Sequence, residues 1–111
     1  KNIKLKIIGS GNEIRSFIYI DDFLNGFYTV FKRGINRNIY NIGNNEPINI
    51  KKLVSIFAKI LNIRIKILKQ KGHLGGPKKR IPNITKIKNL GYKKKYNIYN
   101  GLKKYLENEK I

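Results

Sequence analysis

Residues 9–22 read GSGNEIRSFIYIDD: two glycines around a serine, one arginine, a run of β-formers, then two adjacent aspartates. Only five of the 25 basic residues are Arg, so Arg15, four residues after the glycine turn, is a selection of shape as well as charge. A guanidinium can fork onto a phosphate through parallel charge-assisted bonds, which an ammonium does not do. The glycine loop alone is weak evidence. A G-x-G without a third glycine, followed by a strand-like run instead of a helix, is not a dinucleotide fingerprint.

Outward from this stretch the chain reads as alternating strands and helices. LKII (5–8) is a short apolar run ahead of the turn, and SFIYI (16–20) predicts a strand. Asp21 or Asp22 then caps a helix over 22–33, with Phe23, Phe27, Val30 and Phe31 on its apolar face and Gly34 as its stop. The two acids suit the positive end of the helix dipole, and Lys32 and Arg33 the negative end. NIYNIG (38–43) predicts another strand. Asn49 caps a second helix over 50–61, whose stripe is Leu53, Val54, Phe57, Ile60 and Leu61. IRIKIL (63–68) alternates with period two, placing Arg64 and Lys66 outward. QKGHLGGPKKRIPN (70–83) is a loop by composition. Thr85 caps a short helix through Leu90, stopped by Gly91, and a last helix over 98–107 turns Ile98, Leu102, Tyr105 and Leu106 inward. The fold class is α/β, with short strands and three to four helices, and reads as the C-terminal half of a doubly wound protein.

The net charge of +19 suggests nucleic acid, but the bias has a simpler source. Lys, Ile and Asn account for 20, 21 and 15 residues, while Ala occurs once, which is the balance an A/T-rich coding sequence imposes on any fold. The Lys are spread along the chain and no recognition motif accompanies them. A small basic nucleic-acid-binding protein, with Tyr96 and Tyr99 stacking on bases, is therefore the alternative and not the leading expectation. A truncated, inactive fragment is a third. There is no Cys, which fits a reducing, cytoplasmic location, and no apolar run approaches the length of a membrane span. The chain opens on Lys1 and not Met, which suggests a piece of something longer.

Few side chains suit catalysis. His73 is the lone His and reads as a surface residue, and with no second His and no Cys no transition-metal site is expected. Asp21 and Asp22 read as helix-positioning groups and not as a catalytic pair. The chain is read as lacking the Tyr-x-x-x-Lys pair of hydride-transfer enzymes, and no catalytic residue is assigned. The loop GGPKKRIPN (75–83) is a second anion-binding candidate, through Lys78, Lys79 and Arg80.

GSGNEIRSFIYIDD resembles a segment of the extended short-chain dehydrogenase/reductases that runs, in outline, G-x-G-x-x-x-R-x-F-x-Y-V-D-D. The match falls at Gly9, Gly11, Arg15, Phe17, Tyr19, Asp21 and Asp22. IYNIGNNEPINIKKL (39–53) is similar to a second block of that family, and PKKRIPNITKIKNLGYKKKYNIYNGLKKYL (77–106) to its closing block. The implied relatives are NAD(P)-dependent sugar-nucleotide epimerases, dehydratases and decarboxylases. The resemblance makes residues 1–111 the C-terminal sugar-nucleotide-binding region. It implies that NAD or NADP is held by an N-terminal Rossmann domain, the substrate is a nucleotide-diphosphate sugar, and the complete enzyme is a homodimer. It implies Arg15 and Arg80 as diphosphate ligands, and Glu13 and Asn44 as residues near the substrate. Asn83 departs from the family's usual Asp, keeping one acceptor without the charge. Tyr92 for Trp and Lys94 for Pro read as replacements on a tolerant surface.

Overall fold

The computed structural model describes residues 1–71 and 76–109. In chain order the elements are β1 (Asn2–Ile8), β2 (Ile14–Arg15), α1 (Ile20–Arg33), β3 (Ile48–Asn49), α2 (Ile50–Leu61), β4 (Arg64–Gln70), α3 (Thr85–Asn89) and α4 (Ile98–Asn108). They fall into two units, one of residues Lys1–Arg15 with Pro47–Arg80, the other of Ser16–Glu46 with Ile81–Ile111. The expected loop residue His73 lies outside the described residues.

In the first unit β1 and β4 pair in parallel, in register from Asn2↔Arg64 to Ile8↔Gln70. Parallel strands need a long connection, and α2 is part of it. Ile7 and Val54 are its buried apolar side chains. Arg64 and Lys66 are exposed while Ile65 and Ile67 are half-buried, the period-two pattern expected of that strand. Asn49 caps α2 as predicted, its side-chain oxygen accepting the Lys52 N–H at 2.7 Å. The helix ends where Asn62 turns left-handed at φ 53° and its N–H returns to the Ala58 and Lys59 carbonyls.

The second unit holds α1, α3 and α4, and its core is Ile84, Ile87 and Tyr92 with Val30 and Ile42 packed against them. Helix α1 turns Asp22, Gly26 and Val30 toward this core, an i, i+4, i+8 stripe that apolar periodicity alone does not reveal. Gly26 is required by space. A Cβ there would lie 2.7 Å from Ile42 Cγ2 and 3.3 Å from the Tyr92 ring. The expected apolar face is consequently turned away: Phe27 is 59% and Phe31 77% exposed, and only Val30 of that set packs on the core. In α4, Leu106 is buried as predicted, whereas Tyr105 is 47% exposed.

Two predicted strands do not form, for a common reason. SFIYI and NIYNIG lie outside any strand, and side chains take over the bonding that a ladder would supply. Ser16 Oγ donates to the Asn44 carbonyl, and Asn44 Nδ2 donates to the Phe17 carbonyl at 2.9 Å. Asn41 Nδ2 donates to the Asn83 carbonyl at 3.2 Å. The helix that follows starts earlier than expected, at Ile20, with Tyr19 at the cap and no side-chain capping bond. Asp22 instead sits within the first turn, 1% exposed, and its carboxylate accepts the N–H groups of Lys95 and Tyr96 at 2.9 and 3.0 Å. It ties the start of α1 to the segment leading into α4. Thr85 likewise lies within α3 and does not cap it, its N–H donating to Asn83 Oδ1 at 3.0 Å.

Tyr92 is not on a tolerant surface. It is 3% exposed, and its hydroxyl has no hydrogen-bond partner. Burial, and then the Asp22 charge, push its pKa up, so the phenol stays neutral. Lys94, by contrast, forms an ion pair with Glu46.

Two expectations follow for urea unfolding. Asp22→Ala strands two buried N–H groups and should lower stability by about 2–4 kcal/mol; a loss under about 1 kcal/mol would show that the bonds carry little weight. Tyr92→Phe removes an unsatisfied hydroxyl and should leave the midpoint unchanged or raise stability by about 1 kcal/mol. A marked fall in the midpoint would mean that the hydroxyl has a partner.

Candidate anion-binding site

The turn after β1 is built by conformation and by close approach. Gly9 and Gly11 have φ of +100° and +85°. A Cβ on Gly11 would also lie 2.7 Å from Lys51 Cγ and 3.0 Å from Ile7 Cδ1. The Glu13 carboxylate closes the turn, accepting the N–H of Gly11 at 2.7 Å and of Ser10 at 3.2 Å. Glu13's backbone N–H is the largest influence holding its carboxyl below the usual value. Partial burial opposes this, and the Gly11 and Ser10 donors add to the lowering. Glu13 is thus an ionised turn-former in this unit, a role its sequence position near an expected substrate did not indicate.

The short strand β2 then has a neighbour on both sides. Across one edge, Ile14 and Arg15 pair antiparallel with Asn49 and Ile48. Across the other, the Ile14 N–H donates to the Lys78 carbonyl at 2.7 Å and its carbonyl accepts the Arg80 N–H at 2.9 Å. This makes a parallel bridge between Ile14 and Lys79. One residue beyond it, Arg15 and Arg80 stand level, and level residues of parallel neighbours present side chains to the same face. Two arginines 65 positions apart in sequence (80 − 15) are brought together by three residues of backbone pairing. Arg15 Nη1 donates to the Ile14 carbonyl at 2.9 Å, which steadies the guanidinium, while Arg80, Lys78 and Lys79 are exposed.

The N-terminus of α2 is not available to an anion. Ile50 and Lys51 donate to the carbonyls of Glu13 and Gly11 at 3.2 and 3.0 Å, and Lys52 to the Asn49 side chain. The cationic side chains are left as the donors. Asn44 belongs to the second unit, where it is 4% exposed. Its amide is used at both ends, donating to Phe17 and accepting the Glu46 N–H at 3.1 Å.

Sequence reasoning missed a polar cluster in the second unit. Lys104 Nζ donates to the Tyr96 hydroxyl at 2.9 Å and lies 5.1 Å from the Tyr96 ring centroid and 3.7 Å from Asp21. Its pKa is raised, first by the Tyr96 bond. The ring proposed for base stacking is thereby occupied. The Tyr-x-x-x-Lys spacing, expected to be absent, in fact occurs twice, at Tyr28–Lys32 in α1 and Tyr99–Lys103 in α4. At the first, Lys32 Nζ lies over the Tyr28 ring, 5.7 Å from its centroid, and does not bond the phenol. Among the described residues no cluster of three or more His, Cys, Asp or Glu could hold a metal, and no helix is long and apolar enough to cross a membrane.

The NAD dependent epimerase/dehydratase family profile matches residues 1–43. The UDP-glucuronic acid 4-epimerase of Bacillus cereus, solved with UDP-glucuronic acid and NAD, superposes with a TM-score of 0.83 at 28% identity, over 95% of this chain and 35% of its own. The chain has the α/β fold of the C-terminal parts of NAD-dependent epimerase/dehydratase structures. It is also 30% identical over 103 residues to uncharacterized protein MJ1055 of Methanocaldococcus jannaschii, covering 92% of the chain and 32% of that protein. It is 36% identical over 64 residues to the dTDP-D-glucose 4,6-dehydratase of Dictyostelium discoideum, covering 58% of the chain and 14% of that enzyme. The chain therefore spans about a third or less of these relatives.

The lowered pKa of Glu13 means that its contribution to the turn is complete above its usual value and lost as pH falls through the lower folded value. Followed by NMR, the Gly11 amide should titrate with a midpoint below 4.5, and Glu13→Gln should abolish that titration. A midpoint at or above 4.5 would show the carboxylate free of the turn.

Proposed function

We propose that this chain is the donor-binding part of an NAD(P)-dependent sugar-nucleotide epimerase, dehydratase or decarboxylase, and that Arg15 and Arg80 hold the donor's diphosphate. The observation that carries this is the parallel bridge of Ile14 with Lys79, which sets the two arginines level on neighbouring backbones. A diphosphate offers two anionic groups, and two guanidinium forks match them where lysines would supply only point charge. Glu13 acts by holding the glycine turn in front of Arg15, and Asn44, assigned to substrate binding by the family resemblance, fixes its own loop. Two solved relatives support the substrate class: the Bacillus cereus enzyme holds UDP-glucuronic acid with NAD, and the Thermotoga maritima UDP-glucose 4-epimerase holds UDP-glucose.

The cofactor and the catalytic residues belong, in this proposal, to the other two-thirds of a complete protein, which works as a cytoplasmic homodimer. NAD(P) takes a hydride from the sugar and, in most such reactions, returns it after rearrangement, while this segment positions the donor. The exposed Phe27 and Phe31 face of α1 is the surface that the rest of the protein covers.

Calorimetric titration of the complete protein with UDP, GDP and dTDP tests the assignment. Loss of one charge-assisted contact is worth about 1.5–3 kcal/mol, so Arg15→Ala and Arg80→Ala should each weaken the preferred diphosphate roughly 10- to 150-fold. Unchanged affinity in either variant removes that arginine from the site.

A further inference from the structure

A second basic site lies in the other unit and owes nothing to Arg15 or Arg80. A cleft of about 480 Å³ is lined by Lys32, Arg33, Lys93 and Lys95, with Tyr28 and Thr29 among its other walls. That volume is within the usual range for small-molecule sites. We propose that this cleft binds a linear polyphosphate chain, either inorganic or as the triphosphate of a nucleotide.

The walls are held together and are not merely adjacent lysines. Arg33 Nη1 donates to the Leu90 carbonyl at 3.1 Å, joining the end of α1 to the turn that follows α3. Asp22 fixes the far side by accepting the Lys95 and Tyr96 N–H groups. Gly91 lies between them at φ +99°, and a Cβ there would fall 2.6 Å from Arg33 Nη1. The loop thus passes close to the guanidinium because it carries no side chain at that point. The charge balance favours an anion. Against the four cations stand the buried Asp22 carboxylate and the α1 C-terminus, which carries about half a negative charge. Among the described residues no carboxylate pairs with Lys32, Arg33, Lys93 or Lys95, the only ion pairs of the unit being Lys94–Glu46 and Lys104–Asp21. An elongated ligand with several charges meets cations on both walls, which a single orthophosphate does not.

The test uses the full chain in an Arg15→Gln/Arg80→Gln background, so that the diphosphate site makes no contribution and its failure is measured separately. At about 150 mM salt, where diffuse surface attraction is screened, inorganic tripolyphosphate should bind at one site. Replacing Lys32, Lys93 and Lys95 by Gln should weaken it about tenfold, the sum of three exposed contacts. Arg33 is left in place because it braces the Leu90 turn. Replacing Lys4, Lys66 and Lys69 by Gln removes the same charge from β1 and β4 and should change affinity less than about threefold. All six side chains replaced are on exposed residues, and the unfolding midpoint verifies that both variants fold. In the chain with an intact cleft, tripolyphosphate should shift the Thr29 and Gly91 amide resonances. ATP binding equally well supports a site for the phosphate chain alone, and tighter binding supports a nucleotide triphosphate. Equal weakening by the two triple variants overturns the proposal, as does no binding at that salt, unmoved Thr29 and Gly91 resonances, or an oligonucleotide that binds more tightly and ignores the cleft variant.

Discussion

The first unit depends on residues 9–15 satisfying their backbone groups in several directions within one short segment. Gly9 donates to the last residue of β4, Gly11 and Glu13 accept from the first turn of α2, Ile14 and Arg15 pair with β3 on one edge, and Ile14 bonds to residues 78–80 on the other. A buried backbone group without a partner costs about as much as a lost hydrogen bond, so these pairings cannot be exchanged one at a time. The left-handed glycines let the chain turn, and the Glu13 carboxylate closes the turn from inside. The position of Arg15 beside Arg80 is a by-product of that bookkeeping.

The second unit relies on a different device, a buried carboxylate. Asp22 is taken out of water only because two N–H groups receive it, and these belong to residues more than seventy positions later. The same helix face carries Gly26, whose missing side chain admits Ile42 and Tyr92. The core is therefore packed around a charge and a gap, which leaves the large aromatic residues of α1 on its other side.

Both units present cationic side chains that are held by bonds to the backbone. Helix α2 uses its N-terminal donors internally, which leaves the cationic side chains as the free donors of the proposed site. In a fold whose solved relatives hold NAD and UDP-sugars, this fits a division of labour. Under the proposed function, another part of the protein supplies the cofactor's chemistry and this one holds the charged end of the donor.

Much of this was legible in the sequence. The period-two run of β4, the Asn49 cap, and the extents of α2 and α4 to within a residue or two all rest on local chemistry. Those features depend on neighbours a few residues away, and the alternation of strand and helix patterns supplied the α/β class. What local chemistry did not contain was tertiary. SFIYI and NIYNIG have the composition of strands, but Ser16, Asn41 and Asn44 satisfy the backbone without a ladder. The core-facing stripe of α1 is invisible to apolar periodicity because its members are an acid, a glycine and a valine. The approach of Arg15 to Arg80, and of Arg33 to the turn at Gly91, needs chain segments distant in sequence to meet. The sequence by itself determined which residues can bend, cap and carry charge; only the folded chain decided which of them share a face, because that depends on partners no local pattern records.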